Sequence, residues 1–402
     1  MFNLINKILN NKKNKAIYLD YASLTPIDKG VIGIMEKYSS EIYANPSSLY
    51  GYGLNAKNEI EKAKQSIAKD IKAHSDEIIF TSSGTEANNI AILGSIKALG
   101  ENIKGKNILI SSIEHSSVIE TALSLRQSGI EVNIIPVDKN GIVDIDFIKE
   151  KINKNTILVS VMMTNNEIGS IQPINEIAKI IRHKRKENNT FYPYFHTDAC
   201  QAPLYKEINM EKLGVDMLTL DGHKIYGPRG IGMLYKKRGI EVGPIMYGGN
   251  QEQGLRPGTE NLPGICGFSF ALNKGINNRE IEFEKINEIK NYFIQGLNKI
   301  NKELGIEIKI NGDIKLCSPH ILNILIPNID NEMFVFRLDA KGIMCSTKSA
   351  CLRDENESYV MKAIGVKDTN SVIRFSFGNT TKKSDIDFVL KCIKDILLKF
   401  YK

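Results

Sequence analysis

Phe195-His196-Thr197-Asp198-Ala199-Cys200-Gln201 and Leu220-Asp221-Gly222-His223-Lys224-Ile225-Tyr226-Gly227-Pro228-Arg229-Gly230 are the stretches on which the fold turns. Each runs from an apolar, β-prone segment into a polar turn. A strand buried on both faces of a parallel sheet reads as such a short apolar run, and chemistry collects where it ends. The first stretch leaves an acid, Asp198, at a strand end. The second places Lys224, 26 positions later (224 − 198), in a turn stiffened by glycine and proline.

Working outward, short apolar runs at 77–81, 107–110, 132–135, 157–161, 194–197, 217–220 and 232–235 predict strands. Helical patterns at 87–99 and 175–186 alternate with them. This is the pattern of an α/β domain with a largely parallel sheet. Residues 243–264, rich in Gly and Pro, read as an irregular connection. A charged helix over 279–298 opens a smaller α+β unit with strands at 321–326, 343–346 and 372–377. The last helix is expected to start with Ser384 as its N-cap and to place Val389, Cys392, Ile393, Ile396, Leu397 and Phe400 on one face. Cys392 then belongs to the core, and so does Cys345 in its apolar strand. The division expected is a flexible arm over 1–15, a large cofactor-binding domain over 16–275 and a small domain over 276–402.

The chain has 402 residues, 42% of them hydrophobic, enough for two domains with real cores. Its 53 basic and 46 acidic residues are interspersed, so the net +7 does not argue for direct nucleic-acid binding. His183-Lys184-Arg185-Lys186 reads as a solvated helix end. The six cysteines (200, 266, 317, 345, 351 and 392) lack metal-ligand spacing and read as reduced thiols of a cytoplasmic protein. No apolar run reaches the ~18 residues of a membrane span. Residues 1–13 have neither the apolar core of a signal peptide nor the Arg and Ser richness of a transit peptide.

An acid at one strand end and a lysine in the next turn are what pyridoxal 5′-phosphate requires. The lysine bonds to the aldehyde, and the acid keeps the pyridine nitrogen protonated. Only a neutral amine attacks an aldehyde, so a buried Lys224 with a depressed pKa is expected. Ser82-Ser83-Gly84-Thr85-Glu86, between a strand and a helix, offers backbone N–H groups at Gly84 and the Thr85 hydroxyl to a phosphate. Alone, such a stretch is an ordinary capped helix start. His115, after the 107–110 strand, suits an aromatic ring that stacks on the cofactor and moves protons. Cys351 precedes the polar run Leu352-Arg353-Asp354-Glu355-Asn356-Glu357-Ser358, which reads as a mobile loop able to carry a reactive thiolate.

Taken in order, the pieces resemble a cysteine desulfurase of the class V aminotransferase group, with the type I fold of pyridoxal phosphate enzymes. The resemblance runs from Ile17-Tyr18-Leu19-Asp20-Tyr21-Ala22 to the last helix. It rests on Asn45-Pro46-Ser47-Ser48, Glu114-His115, Asn165-Asn166-Glu167-Ile168-Gly169, Asp198-x-x-Gln201, Gly222-His223-Lys224, Arg256-x-Gly258-Thr259, Ser349-Ala350-Cys351 and Arg374-Phe375-Ser376 besides the stretches above. It implies that Lys224 holds the cofactor, Asp198 pairs with the pyridinium, Gln201 meets the phenolic oxygen and His115 stacks on the ring. Gly84, Thr85 and His223 would bind phosphate, joined by Thr259 from a neighbouring subunit, hence a homodimer. Asn166, which also lies at the cofactor, and Arg374 would hold the carboxylate of L-cysteine. Cys351 would receive the sulfur as a persulfide while alanine leaves. The implied acceptor is an iron–sulfur scaffold or a tRNA-thiolation enzyme.

Three positions depart from the family pattern. Lys348 replaces a usual glycine before the nucleophile and is expected to help stabilise its thiolate. Asp221 stands where many relatives carry a phosphate-contacting serine. A carboxylate beside a phosphate is repulsive unless it bonds to backbone or water, so Asp221 is expected to order the turn. Asn379 stands where an arginine is common. The last helix ends close to Lys402, so docking through a longer tail is not expected. The long Cys351 loop resembles the branch that donates sulfur directly to diverse acceptors. Competing readings are a selenocysteine lyase or another class V enzyme, and a catalytically silent scaffold subunit.

Overall fold

The computed structural model describes residues 16–347 and 358–400. Cys351, Lys348 and the 1–15 arm lie outside them. The chain forms two units. The larger comprises Thr25–Asn165 and Ile171–Arg279. The second comprises residues 16–24, Asn166–Ser170 and the chain from Glu280 onward. Two short pieces, 16–24 and Asn166–Ser170, thus group with the C-terminal segment and not with the sequence around them.

The larger unit is built on a seven-stranded sheet: β1 (Ile78–Thr81), β2 (Asn107–Ser111), β3 (Glu131–Ile135), β4 (Thr156–Ser160), β5 (Tyr194–Asp198), β6 (Met217–Asp221) and β7 (Gly232–Lys236). Their order across the sheet is β1-β7-β6-β5-β4-β2-β3, and β7 alone runs antiparallel to its neighbours. β2, β4, β5 and β6 are buried along their whole length, as a sheet covered on both faces demands. Ile79, Ile108, Ile110, Leu158, Met217 and Leu234 pack with helix α1 (Gly84–Lys97) and helix α2 (Ser116–Ser124) into one core. Each such aliphatic side chain contributes ~1.5–3 kcal/mol by leaving water.

The predicted helix at 87–99 starts earlier, at Gly84, because Ser83 caps it by accepting from the Glu86 N–H at 3.2 Å. The Glu86 carboxylate returns to the Ser82 N–H, a reciprocal cap that fixes the entry into α1. Gly232 makes the fit possible. A Cβ there would lie 2.5 Å from the Ser83 carbonyl carbon and 2.9 Å from the Gly84 nitrogen. Helices Lys29–Ser40, Gly51–Ile71 and Leu262–Asn277 were not foreseen. The last begins inside the stretch read as irregular, because Asn261 caps it and Pro263 suits its first turn.

In the second unit, Ile321–Leu325 pairs antiparallel with both Val372–Ser376 and Lys309–Ile310. Ile17–Tyr18 pairs in parallel with Ile343–Met344. Phe293, on the helix Arg279–Leu304, meets Phe375 edge-on at 5.0 Å between ring centres. The strand expected over 343–346 is only two residues long, and its pairing ends at Met344. Cys345 is consequently half-buried and not a core residue. Cys392 is buried on the last helix, as its spacing implied. That helix begins at Lys383, so Ser384 lies inside its first turn and is not its N-cap. The Asp385 carboxylate takes the Lys382 N–H at 3.0 Å, which lets the helix start earlier.

Candidate active site

The carboxyl ends of β1, β2, β5 and β6 present most of the residues singled out in the sequence. Asp198 ends β5 and is buried. Its carboxylate accepts from the Asn88 side-chain amide at 2.8 Å and from the Cys200 N–H at 2.9 Å. Asn88 was not foreseen. It sits on α1 one turn after Thr85, where a polar residue reads as an ordinary helix position. Its amide also donates to the Ser117 hydroxyl at 2.9 Å, which ties α1 to α2. Gln201 is buried in the turn beyond Asp198.

His115 caps α2. Its Nδ1 lies 2.8 Å from the Ser117 hydroxyl and accepts from the Ser117 N–H at 3.2 Å, so the ring is oriented from one nitrogen. The residue before it, Glu114, is fully buried. It accepts from the Ser111 hydroxyl and the Met162 N–H, each at 2.6 Å. Burial pushes its carboxyl up to about 8, reinforced by the Asp198 charge. His196, in the middle of β5, is pushed down to about 4 by burial and stays neutral. It bridges the Ser160 and Thr219 hydroxyls at 2.8 and 3.0 Å.

Beyond β6 a single helical turn, Gly222–Lys224, carries His223 and Lys224. Lys224 is half-buried where a buried amine was expected, because it lies on the turn past the strand and not within it. Thr25 pins this turn, donating its N–H at 2.9 Å and its hydroxyl at 2.8 Å to the His223 carbonyl. Asp221 orders it from the other side. One carboxylate oxygen lies 2.5 Å from His223 Nδ1 and accepts the His223 N–H at 3.2 Å. The other accepts the Gly84 N–H at 2.7 Å. The expected role of Asp221 in the turn is therefore met by named donors.

These residues fit a phosphorylated pyridine aldehyde. Thr85, exposed at the second position of α1, commits neither its N–H nor its hydroxyl to another described residue. A phosphate accepts both, and the start of a helix favours the negative charge. The Gly84 N–H, expected to meet the phosphate, is taken by Asp221 instead, and what Gly84 contributes is the space its missing side chain leaves. A Cβ there would lie 2.8 Å from the Cys200 sulfur and 3.2 Å from Asp221 Oδ2. Burial and the Asp198 and Asp221 charges push the Cys200 thiol well up, against the opposing pull of Lys224. Thr259 is exposed, on a segment tethered to α1 by Arg256, whose Nε lies 3.4 Å from Glu86.

In the second unit, Arg374 is only 1% exposed. Nη1 donates to the Asn166 carbonyl at 2.8 Å, and Nη2 donates to Asp20 at 2.8 Å and to the Ser23 hydroxyl at 2.7 Å. Nε is buried without a hydrogen-bond partner among the described residues. Asp20 and Ser23 were missed as partners because they lie more than 350 positions away. The backbone of Arg374 also pairs in both directions with Ser346, at 2.7 and 3.1 Å. Ser358, the first described residue after the gap, caps the helix Tyr359–Ala363 and donates to the buried Glu167 at 2.6 Å.

A sheet that presents a held acid, a lysine turn and a phosphate-ready helix start defines a class of pyridoxal phosphate enzyme. The chain belongs to the class-V aminotransferase family, whose model matches residues 17–389. Among its relatives, the cysteine desulfurase IscS of Dictyoglomus turgidum is 39% identical over 388 residues, 96% of this chain and 95% of that protein. A solved NifS-like protein aligns with a TM-score of 0.87 and 30% identity, covering 95% of this chain and 99% of that one. SspA, solved in complex with cysteine, aligns with a TM-score of 0.77 and 31% identity over 90% of this chain and 98% of its own.

Proposed function

We propose that the chain is a pyridoxal phosphate-dependent cysteine desulfurase that converts L-cysteine to L-alanine and delivers the sulfur as a persulfide. The observation that carries this reading is the arrival of Asp198 and the Lys224 turn on adjacent strands, β5 and β6, in a chain whose relatives include proteins named cysteine desulfurases. When bound, pyridoxal phosphate serves as the electron sink that weakens the bonds at the substrate's α and β carbons. Thr85 and His223 would hold its phosphate, Gln201 its phenolic oxygen, and His115 would stack on the ring. Asp198, fixed by Asn88 and Cys200, would keep the proton on the ring nitrogen. Lys224 would anchor the group and move the proton at the substrate Cα.

Arg374 and Asn166 are assigned to the substrate carboxylate. Buried guanidinium groups suit carboxylates because their donors are planar and fixed. The Cys351 thiolate attacks the substrate sulfur, a sulfur–sulfur bond forms as the carbon–sulfur bond breaks, and the carbon takes a proton to leave as alanine. The anchored ends of the Cys351 segment, at Ser346 and Ser358, support its use as a delivery element. The acceptor is a protein of iron–sulfur assembly or tRNA thiolation. A homodimer belongs to this reading. Leu49, Tyr50, Tyr52 and Tyr247 are exposed apolar residues of the same unit as Thr259, and Leu49 is 91% exposed. The cytoplasm is the proposed setting. Cys200, Cys266, Cys317, Cys345 and Cys392 are free thiols, and no described helix is long and apolar enough to cross a membrane.

The test is to incubate the purified, yellow protein with cysteine and a thiol reductant and to measure sulfide and alanine in equal amounts. Cys351→Ala should keep the colour and lose sulfide release. Colour without sulfide in the unmodified protein would leave the cofactor assignment and reject the desulfurase; selenide from selenocysteine alone would indicate the lyase. Absence of colour even after adding the cofactor would indicate a silent subunit.

A further inference from the structure

Asp221 brings a carboxylate to the end of the site assigned to the cofactor phosphate. Asp221 is buried and accepts the Gly84 N–H at 2.7 Å. It therefore takes up the first helix donor that a phosphate would otherwise use, and it adds a negative charge beside that phosphate. Two anions in a partly desolvated site repel. What offsets this is His223, whose Nδ1 lies 2.5 Å from the same carboxylate. An imidazole has two nitrogens and, when neutral, one proton. With Asp221 accepting at Nδ1, the proton of a neutral ring is committed there, and Nε2 is left as an acceptor with no proton to offer a phosphate. Nε2 can donate to phosphate only when the ring carries both protons.

Resting on the cofactor reading above, we propose that Asp221 is a positioning residue that holds His223 as an imidazolium, making its Nε2–H a fixed cationic donor to the cofactor phosphate. A serine or an asparagine at 221 acts differently. Its hydroxyl or amide donates to an unprotonated Nδ1, so a neutral ring keeps its proton on Nε2 and still donates to phosphate. Asp221 thus makes phosphate binding conditional on a proton that those residues would not require. Besides Asp221, the charges acting on the adjacent Cys200 are Asp198 at the end of β5 and Lys224 on the turn itself, and Glu86 at the head of α1 is paired with Arg256. The backbone of the turn is held independently by Thr25, so the ring can change its proton count without the turn coming loose.

The test uses pyridoxine 5′-phosphate and pyridoxine, which lack the aldehyde and so remove the Lys224 bond from the measurement. Apo-protein is titrated with each from pH 6 to 9 by fluorescence or calorimetry. In the unmodified protein, affinity for pyridoxine phosphate should fall with rising pH, approaching about tenfold per unit once His223 loses its proton. In Asp221→Asn and Asp221→Ser that fall should flatten, and pyridoxine should show no such difference between proteins. Equal slopes in all three proteins, or a flat profile in the unmodified one, would overturn the proposal. An equal change with pyridoxine would also overturn it, pointing to a general packing role. A second measurement needs no variant of Asp221. The 15N shifts of the His223 ring, assigned with His223→Gln, should show both nitrogens protonated at pH 7 with pyridoxine phosphate bound; a single proton overturns the idea. Failure of the unmodified protein to bind pyridoxine phosphate, or to gain absorbance through Lys224 with the aldehyde form, overturns the cofactor reading and this inference together.

Discussion

Asp198 and Asp221 end neighbouring strands, are nearly equally buried, and face opposite tasks. Asp198 is approached by a side-chain amide and a backbone N–H, and in the proposed function its remaining capacity would go to a ring nitrogen. Asp221 is saturated by the protein itself, through the Gly84 N–H, the His223 N–H and the His223 ring. The residue type and the strand position are shared, so the donors around each carboxylate decide its use. An acid held by few protein donors acts on a ligand. An acid held by many shapes the walls.

The contrast can be broken in stages. The largest effect is expected from Lys224→Ala, which removes the amine on the turn beyond Asp221. Turnover should fall on the order of 10³-fold, with loss of the bound cofactor's colour, since a positioned base contributes about 10²–10⁴-fold. Stopped turnover with the colour retained would show that another amine holds the cofactor. Asp198→Asn comes next. Losing a hydrogen bond to a charged ring nitrogen costs ~1.5–3 kcal/mol, or about 10- to 100-fold in kcat. An unchanged kcat would place the ring proton elsewhere.

Gly84→Ala tests the wall. The new methyl group would press on Cys200 and Asp221 together, and overpacking of this kind costs ~1–3 kcal/mol. Denaturant unfolding should show that loss, and a midpoint equal to that of the unmodified protein would mean that α1 can shift. The last test concerns Glu114, which keeps its proton to about 8 in the fold against an ordinary 4.5. The folded state binds that proton more tightly than the unfolded one. Stability should therefore fall as pH rises from 4.5 to 8, by up to ~1.4 kcal/mol per unit. Glu114→Gln should flatten that decline in melting temperature. Parallel profiles would mean that Glu114 is ionised.

The sheet and its chemistry were legible in the sequence for one physical reason. Strands buried on both faces leave continuous apolar runs, and each run stops at a polar residue where the sheet ends, as at Asp198 and Asp221. Partners that arrive from a distance leave no such trace. Asn88 reads as one more polar helix residue, and nothing local to Arg374 announces Asp20 or Ser23. The helix Leu262–Asn277 was hidden because glycine and proline, which break structure inside a helix, also serve at its first turn. The repulsion that made Asp221 suspect as a cofactor ligand follows from residue type alone. The Gly84 N–H that relieves it, 137 positions away, does not.

Arg374 can also be considered as a mechanical part. Its backbone is bonded in both directions to Ser346, and its guanidinium to Asn166, Asp20 and Ser23. A long side chain on a surface loses ~2 kcal/mol of rotamer freedom when it grips something. Here that freedom is already gone before any ligand arrives. Arg374 is a fixed post and not a swinging arm, so whatever carboxylate it receives must travel to it and adopt its orientation.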